Sequence, residues 1–336
     1  MKDNQGSFSR RSFLKVTGGL ALMAGIHIPK PVQARSTGML ATLIDLSLCD
    51  GCPDLDIPAC VKACRAKNMA GIPDPVDPMP ALLPRGVRED WSKKKDVTDR
   101  LTPYNWIFLQ KAEVEKDGDT KTLFIPRRCM HCDNPACATI CPFSANHKHT
   151  TGAVIIDKDL CFGGAKCRTV CPWNIPQRQS GVGIYLDILP ELAGNGVMFK
   201  CDLCQDRILN GETPACIEAC PRGAMRIGRR NEMYEEAEAR AKEINGFVYG
   251  KNENGGTSTF YISPVSFETI DAAIHANPGK PHLKPVKRAL AKTDGTGKSV
   301  LLSPAIGLVA GIAAAAGTLM KKRIVRVEEE RKNGRS

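Results

Sequence analysis

The chain has 336 residues, 42% hydrophobic and 25% charged, which is ordinary for a globular protein and long enough for one large domain or two modest ones. A formal charge of +11 raises nucleic acid and anionic membrane as partners, but the basic residues form no base-reading stripe with interleaved aromatics. Many sit in the terminal segments, at Arg10–Arg11 and Lys321–Lys322–Arg323, so membrane proximity is expected and nucleic-acid binding is not.

Residues 9–15 read Ser9-Arg10-Arg11-Ser12-Phe13-Leu14-Lys15, a complete twin-arginine export signature. A mildly apolar stretch from Val16 to Ile28 and a small-residue cleavage site at Val32-Gln33-Ala34 follow, so residues 1–34 read as a signal peptide. This route exports folded proteins, which lets a cofactor inserted in the reducing cytoplasm reach the outside. The cysteines of such a chain are therefore read as thiolates holding metal and not as a disulfide framework.

The fifteen cysteines fall into four groups with none left over. Group one is Cys49-x2-Cys52-x7-Cys60-x3-Cys64, and group two is Cys129-x2-Cys132-x4-Cys137-x3-Cys141-Pro142. Group three is Cys161-x5-Cys167-x3-Cys171-Pro172, and group four is Cys201-x2-Cys204-x11-Cys216-x3-Cys220-Pro221. With only 5% aromatic residues, the cores are expected to be small, with cofactors filling volume that side chains would otherwise fill.

Between groups one and two, residues 65–128 form an insertion. Its proline-rich part, Ile72 to Pro84, predicts an irregular covering loop. Its later part predicts a hairpin of strands Tyr104–Gln110 and Thr120–Ile125, turned at Lys116-Asp117-Gly118-Asp119. Short strands are predicted at Ala153–Asp157 and Ala224–Ile227. A polar helix is predicted over Asn231–Asn245, with Asn231 as cap and Gly246 as stop, and a strand over Thr257–Ile262. Residues 278–298 read as a linker to an uncharged run, Val300 to Met320, whose length as a helix is roughly 30 Å, a bilayer core. Gly307 and Gly311 stand at GxxxG spacing within it. Positive charge flanks this run on both sides, so export of the folded body, and not charge bias, places the tail inside.

A C-x2-C loop can wrap one corner of an iron–sulfur cubane, with backbone N–H groups directed at the sulfides. The cysteine before proline lies too far along to close the same cluster, and in two-cluster ferredoxins it ligates the other one. Zinc also takes paired C-x2-C units, but it does not call for a repeated cysteine before proline, seen here three times. Group three lacks one ligand, because Gly164 stands where a C-x2-C unit would place its second cysteine. Such a three-ligand site can hold a [3Fe–4S] cluster, or a [4Fe–4S] cluster completed by hydroxide or by Asp157 or Asp159, or it can lack a stable cluster. His131, His147 and His149 lie near the groups and read first as surface or loop residues. Lys200, before Cys201, reads first as a solvated charge and otherwise as a tuner of electron passage. Trp173, after Cys171-Pro172, reads as a shield against water.

With these groups, the leader and the single C-terminal helix, the chain resembles the four-cluster ferredoxin subunits of membrane-bound respiratory oxidoreductases. Within that family it is most similar to the hydrogenase-2 type, on Arg127-Arg128-Cys129-Met130-His131-Cys132 and Leu101-Thr102-Pro103-Tyr104. The similar formate dehydrogenase β subunit lacks its own leader. The resemblance covers roughly residues 8–321 and implies an α+β fold of tandem bacterial 2[4Fe–4S] ferredoxin-like modules with an inserted hairpin, plus one C-terminal transmembrane helix. It also implies the ligand sets: Cys49, Cys52 and Cys60 with Cys220; Cys201, Cys204 and Cys216 with Cys64; Cys129, Cys132 and Cys137 with Cys171; Cys161 and Cys167 with Cys141. The x7 spacing before Cys60 departs from the family's usual x2.

The expected organisation is a four-cluster domain over 35–245, an extension and linker over 246–298, a transmembrane helix over 299–321 and a cytoplasmic tail over 322–336. The expected cofactors are three [4Fe–4S] clusters and one [3Fe–4S] cluster. The expected function is electron relay from a periplasmic catalytic subunit, a [NiFe] uptake hydrogenase with large and small subunits, to an integral membrane quinone-reactive subunit. A formate dehydrogenase or other molybdopterin enzyme is the alternative donor. A self-sufficient iron–sulfur enzyme using the open corner is the alternative of another class, but no nucleotide fingerprint or acid–base constellation accompanies the clusters.

Overall fold

The computed structural model describes residues 38–80, 88–116, 118–188, 195–274 and 277–291. The export segment and the apolar run at 300–320 lie outside the described residues. Among the described residues no helix is long and apolar enough to cross a membrane.

Strand β1 (Leu40–Asp45) has a sequence that can be buried on both faces, Leu-Ala-Thr-Leu-Ile-Asp, and it is buried from Ala41 onward. Helix α1 (Ala59–Asn68) follows Pro58 and carries Cys60 and Cys64 one turn apart on its buried side. Next, β2 (Phe108–Lys116) and β3 (Asp119–Arg127) form a long antiparallel hairpin, in register from Phe108↔Arg127 to Lys116↔Asp119.

This hairpin was expected to start at Tyr104. Instead the backbones of Thr102 and Asn105 hydrogen-bond to each other in a tight turn, at 3.0 and 3.2 Å. The strand also runs further than its apolar residues. Lys111, Glu113 and Glu115 occupy the exposed face while Ala112 and Val114 stay buried, so the alternation continues to Lys116.

Short elements then carry the remaining cysteines: α2 (Ala136–Thr139), β4 (Asn146–Lys148), β5 (Val154–Ile156), α3 (Lys166–Val170), β6 (Gln177–Gln179), α4 (Tyr185–Ile188) and β7 (Val197–Phe199). They continue through α5 (Gln205–Leu209), α6 (Ala215–Glu218) and β8 (Met225–Arg229). The chain closes with α7 (Arg230–Glu243), β9 (Phe247–Tyr249), β10 (Thr259–Ser263) and α8 (Phe267–Ala273). α1 packs on α6, and α2 packs on α3, so cysteine-bearing helices meet in pairs distant in sequence.

The main sheet has the order β8-β1-β10-β9. β1 is antiparallel to β8 (Thr42↔Ile227) and parallel to β10 (Thr42↔Thr259). One face presents Ala41, Leu43, Phe260 and Ile262 to α7, which answers with Ala237 and Ala241. The other face turns Ile44 and Tyr261 into the larger core that holds the cysteines. α7 begins at Arg230, with Arg229 before it and no side-chain cap, so Asn231 lies inside the helix and does not cap it. Its end is as expected. Asn245 is left-handed (φ 51°), and the N–H of Gly246 reaches back to the Ala241 carbonyl at 2.7 Å.

The close approach of α7 to the sheet depends on small residues. Ala237 is fully buried against Leu43 and Phe260, so Ala237→Leu should cost about 1–3 kcal/mol through overpacking. Anaerobic denaturant unfolding followed by circular dichroism checks this, and unchanged stability would contradict the packing.

Candidate metal-cluster site

All four cysteine groups open with the same backbone device. The third residue of each loop is left-handed: Gly51 (φ 81°), His131 (φ 48°), Gly163 (φ 61°) and Leu203 (φ 63°). Such turns point successive N–H groups into the concave side of the loop. The Leu203 N–H donates to Cys201 Sγ at 3.4 Å, and the Met198 N–H donates to Cys161 Sγ at 3.4 Å. The Asn146 N–H donates to Cys141 Sγ at 3.5 Å. Group three therefore keeps the loop, with Gly164 next in line where the other groups have a cysteine.

The structure gathers the cysteines across groups. Cys49, Cys52, Cys60 and Cys220 line one pocket, and the long x7 segment does not remove Cys60 from it. Cys64, Cys201, Cys204 and Cys216 line a second. Cys171 faces Cys137, Cys132 and Cys129, and burial together with their charge drives its thiol well above the ordinary range. Cys141, Cys161 and Cys167 line a further pocket beside Gly164, the roomiest of the three.

Burial pushes the thiols of Cys132, Cys167 and Cys204 up to about 12 and those of Cys49 and Cys216 to about 11. Sulfurs packed this way become thiolates only if positive charge is supplied among them, which iron does. Among the described residues no three His, Cys, Asp or Glu side chains converge closely enough for a single metal ion. The cysteines ring volumes and not points. At the group-three cavity Asn146 is only 3% exposed, and its side-chain amide lies close enough to Cys137 to favour the thiolate there. The donor sets fit iron–sulfur clusters.

A Cβ added at Gly164 would meet nothing within 4 Å. Neither Asp157 nor Asp159 lines this cavity. The Asp157 carboxylate instead accepts the N–H groups of Asp159 and Leu160, at 2.9 and 3.3 Å. The walls are largely apolar, with the Phe143 and Phe162 rings 4.2 Å apart between centroids.

Two residues expected to be solvated are buried. His131 is 0% and Lys200 is 5% exposed. The Lys200 ammonium donates to the Val154 and Cys201 carbonyls. Burial and then the charges of Lys200, Arg128 and Lys148 hold His131 well below the usual histidine range. His149 is half-buried at Thr151 and Gln205, and His147 is paired in β4. Trp173 is buried in the core that holds the cysteines and donates its Nε1–H to the Tyr249 hydroxyl at 3.0 Å.

Sequence reasoning missed three side-chain donors to sulfur. Arg128, also buried, places Nη1 3.8 Å from Cys201 Sγ and donates through Nη2 to Thr42 Oγ1. Asn254 Nδ2 donates to Cys132 Sγ at 3.2 Å, and Asn68 Nδ2 to Cys64 Sγ at 3.5 Å. Arg128 stands next to Cys129 and could have been singled out. Asn254 is distant in sequence and gave no signal.

Two family descriptions, both of a 4Fe-4S dicluster domain, match residues 48–145 and 120–230. The chain is similar to the hydrogenase-2 operon protein HybA of Escherichia coli O157:H7, 29% identical over 303 residues, 78% of this chain and 83% of that protein. It is also similar to the iron–sulfur subunit of nitrate-inducible formate dehydrogenase of Escherichia coli K12, 30% identical over 246 residues, 70% of this chain and 72% of that one. The formate dehydrogenase iron–sulfur subunit of Haemophilus influenzae is 30% identical over 246 residues, 70% of this chain and 67% of that one.

Adjacent glycines in group three should behave oppositely. A Cβ at Gly163 would lie 2.3 Å from the Gly196 carbonyl oxygen on a left-handed backbone. Gly163→Ala should therefore cost about 2–4 kcal/mol and release iron, while Gly164→Ala stays within about 0.5 kcal/mol of the parent. Thermal unfolding and iron analysis of both variants check this, and equal behaviour would contradict the geometry.

Proposed function

The chain belongs to the iron–sulfur electron-transfer subunits of respiratory oxidoreductases, and from that premise we propose that it is a membrane-anchored periplasmic electron relay. It takes electrons from a [NiFe] uptake hydrogenase and passes them to an integral membrane quinone-reactive subunit. The observation that carries the reading is the file in which the four cysteine sets stand. Cys60 and Cys64 stand on one helix, α1, and line the first and second pockets. His131 and Arg128, beside Cys129 of the third set, reach Cys201 of the second. Cys137 of the third set lies in α2, and Cys141 just beyond it lines the fourth pocket. Each set adjoins the next, as a relay needs.

In this reading Cys49, Cys52, Cys60 and Cys220 hold one [4Fe–4S] cluster, and Cys201, Cys204, Cys216 and Cys64 hold another. Cys129, Cys132, Cys137 and Cys171 hold the third. Cys161, Cys167 and Cys141 would hold a [3Fe–4S] cluster, with no fourth ligand supplied at Gly164. The clusters supply one-electron redox chemistry, and the chain sets it through burial and hydrogen bonds to sulfur. The twin-arginine signature at Arg10–Arg11 supports export, and the uncharged run from Val300 to Met320 supports a single anchor over residues 299–321.

The formate dehydrogenase subunits among the relatives favour a second reading, with a molybdopterin enzyme as donor. The leader on this chain favours hydrogenase, since the formate dehydrogenase type travels with its catalytic partner. Affinity purification in mild detergent separates the two. A co-purifying nickel–iron large subunit is the expected result, and a pterin enzyme would overturn it.

The open space at Gly164 gives a second test. Gly164→Cys should convert the fourth cluster from [3Fe–4S] to [4Fe–4S], so that the oxidised-state electron paramagnetic resonance signal of the three-iron cluster disappears. A variant and parent with identical oxidised spectra would contradict the assignment.

A further inference from the structure

The junction between the second and third cysteine sets concentrates hydrogen-bond donors on one sulfur. Cys201 Sγ is approached by the Leu203 N–H at 3.4 Å, His131 Nε2 at 3.5 Å and Arg128 Nη1 at 3.8 Å. Leu203 belongs to the loop of Cys201 itself. His131 and Arg128 belong to the loop of Cys129 and Cys132, which is the neighbouring set.

The tautomer of His131 follows from its surroundings. The Val154 N–H donates to His131 Nδ1 at 2.9 Å, so that nitrogen carries no proton. The ring proton is therefore on Nε2, the atom that faces Cys201. Val154 is held from its other side, because the Lys200 ammonium donates to its carbonyl. The ring is completely buried, so water does not compete for either nitrogen.

We propose that His131 is a redox-positioning residue: it donates its Nε2–H to the Cys201 sulfur across the junction, raising the potential of the cluster held by Cys64, Cys201, Cys204 and Cys216 and linking it to the next. The inference rests on the cluster reading given above. An N–H directed at a thiolate stabilises the reduced, more negative cluster more than the oxidised one, and a dry interior strengthens that difference. The same contact makes a short route. From Cys201 Sγ it crosses one hydrogen bond to the ring, then the side chain, then a single peptide bond to Cys132. With clusters held on both sides, this contact would offer a path for one electron from the reduced to the oxidised one. No proton moves, since Nδ1 is already occupied by the Val154 N–H.

The test is a potentiometric titration, followed by electron paramagnetic resonance, of the full chain purified anaerobically in detergent. His131→Phe fills the ring volume without a donor, and His131→Gln restores an amide N–H. Asn254→Ala, which removes a donor to Cys132, serves as the control and should move the third set's couple instead. At the parent's midpoint, His131→Phe should raise the oxidised-to-reduced ratio of one four-iron cluster about tenfold, about 59 mV for a one-electron couple. His131→Gln should return that ratio most of the way.

Unmoved midpoints in a His131→Phe protein with full iron content would overturn the inference, as would Phe and Gln variants that shift alike. If His131→Phe loses iron, His131→Gln decides. Parent-like iron and potential in it support the role, while lost iron or a full shift overturns it. A parent chain with no cluster signals would overturn the cluster reading and the inference together. Parent clusters with unmoved potentials overturn the inference alone.

Discussion

Sulfurs crowded into buried and half-buried sets are the constraint on which this structure depends. At positions such as Cys171 and Cys132, burial drives the thiol toward the neutral form, and neighbouring thiolates drive it further. The fold answers in three ways. It places three of the four sets around pockets that could receive an iron–sulfur core. It turns every cysteine loop through a left-handed residue, so that main-chain N–H groups face sulfur. It also inserts the side-chain donors Arg128, His131, Asn68 and Asn254 at selected sulfurs.

The exchange of a fourth cysteine between groups ties this chemistry to the topology. Cys64 leaves α1 for the cavity of group four, and Cys220 returns from group four to the cavity of group one. These crossings need α1 against α6 and β1 against β8, which bring groups one and four together. α2 against α3 does the same for groups two and three. The hairpin β2–β3 contributes through its end, where Arg127 and Arg128 lead directly into Cys129. Arg127 braces the His282 carbonyl, and Arg128 reaches Cys201.

Local chemistry was readable from the sequence because it is periodic or compulsory. Cysteine spacing marked the four loops, Gly118 marked the hairpin turn, and Gly246 marked the end of α7. Boundaries set by polar residues were less readable. The start of β2 depends on the Thr102–Asn105 turn, and α7 begins without a side-chain cap. His131 and Lys200 read as solvated because Val154, a partner both share, lies in a different segment: its N–H donates to His131 Nδ1 and its carbonyl accepts from Lys200. Asn254 had no local signal. Its sulfur partner is 122 positions away, and only the tertiary fold brings the two together.

Of the three cysteine-lined pockets described, the roomiest has the fewest cysteines, and Gly164 leaves open space among its apolar walls. The account therefore predicts clusters of unequal kind along a single file. Mössbauer spectroscopy of the anaerobically purified full chain tests this most directly, because it counts iron by cluster type. Three [4Fe–4S] components and one [3Fe–4S] component are the predicted spectrum. A spectrum of four-iron clusters alone, or of fewer than four clusters, would contradict it.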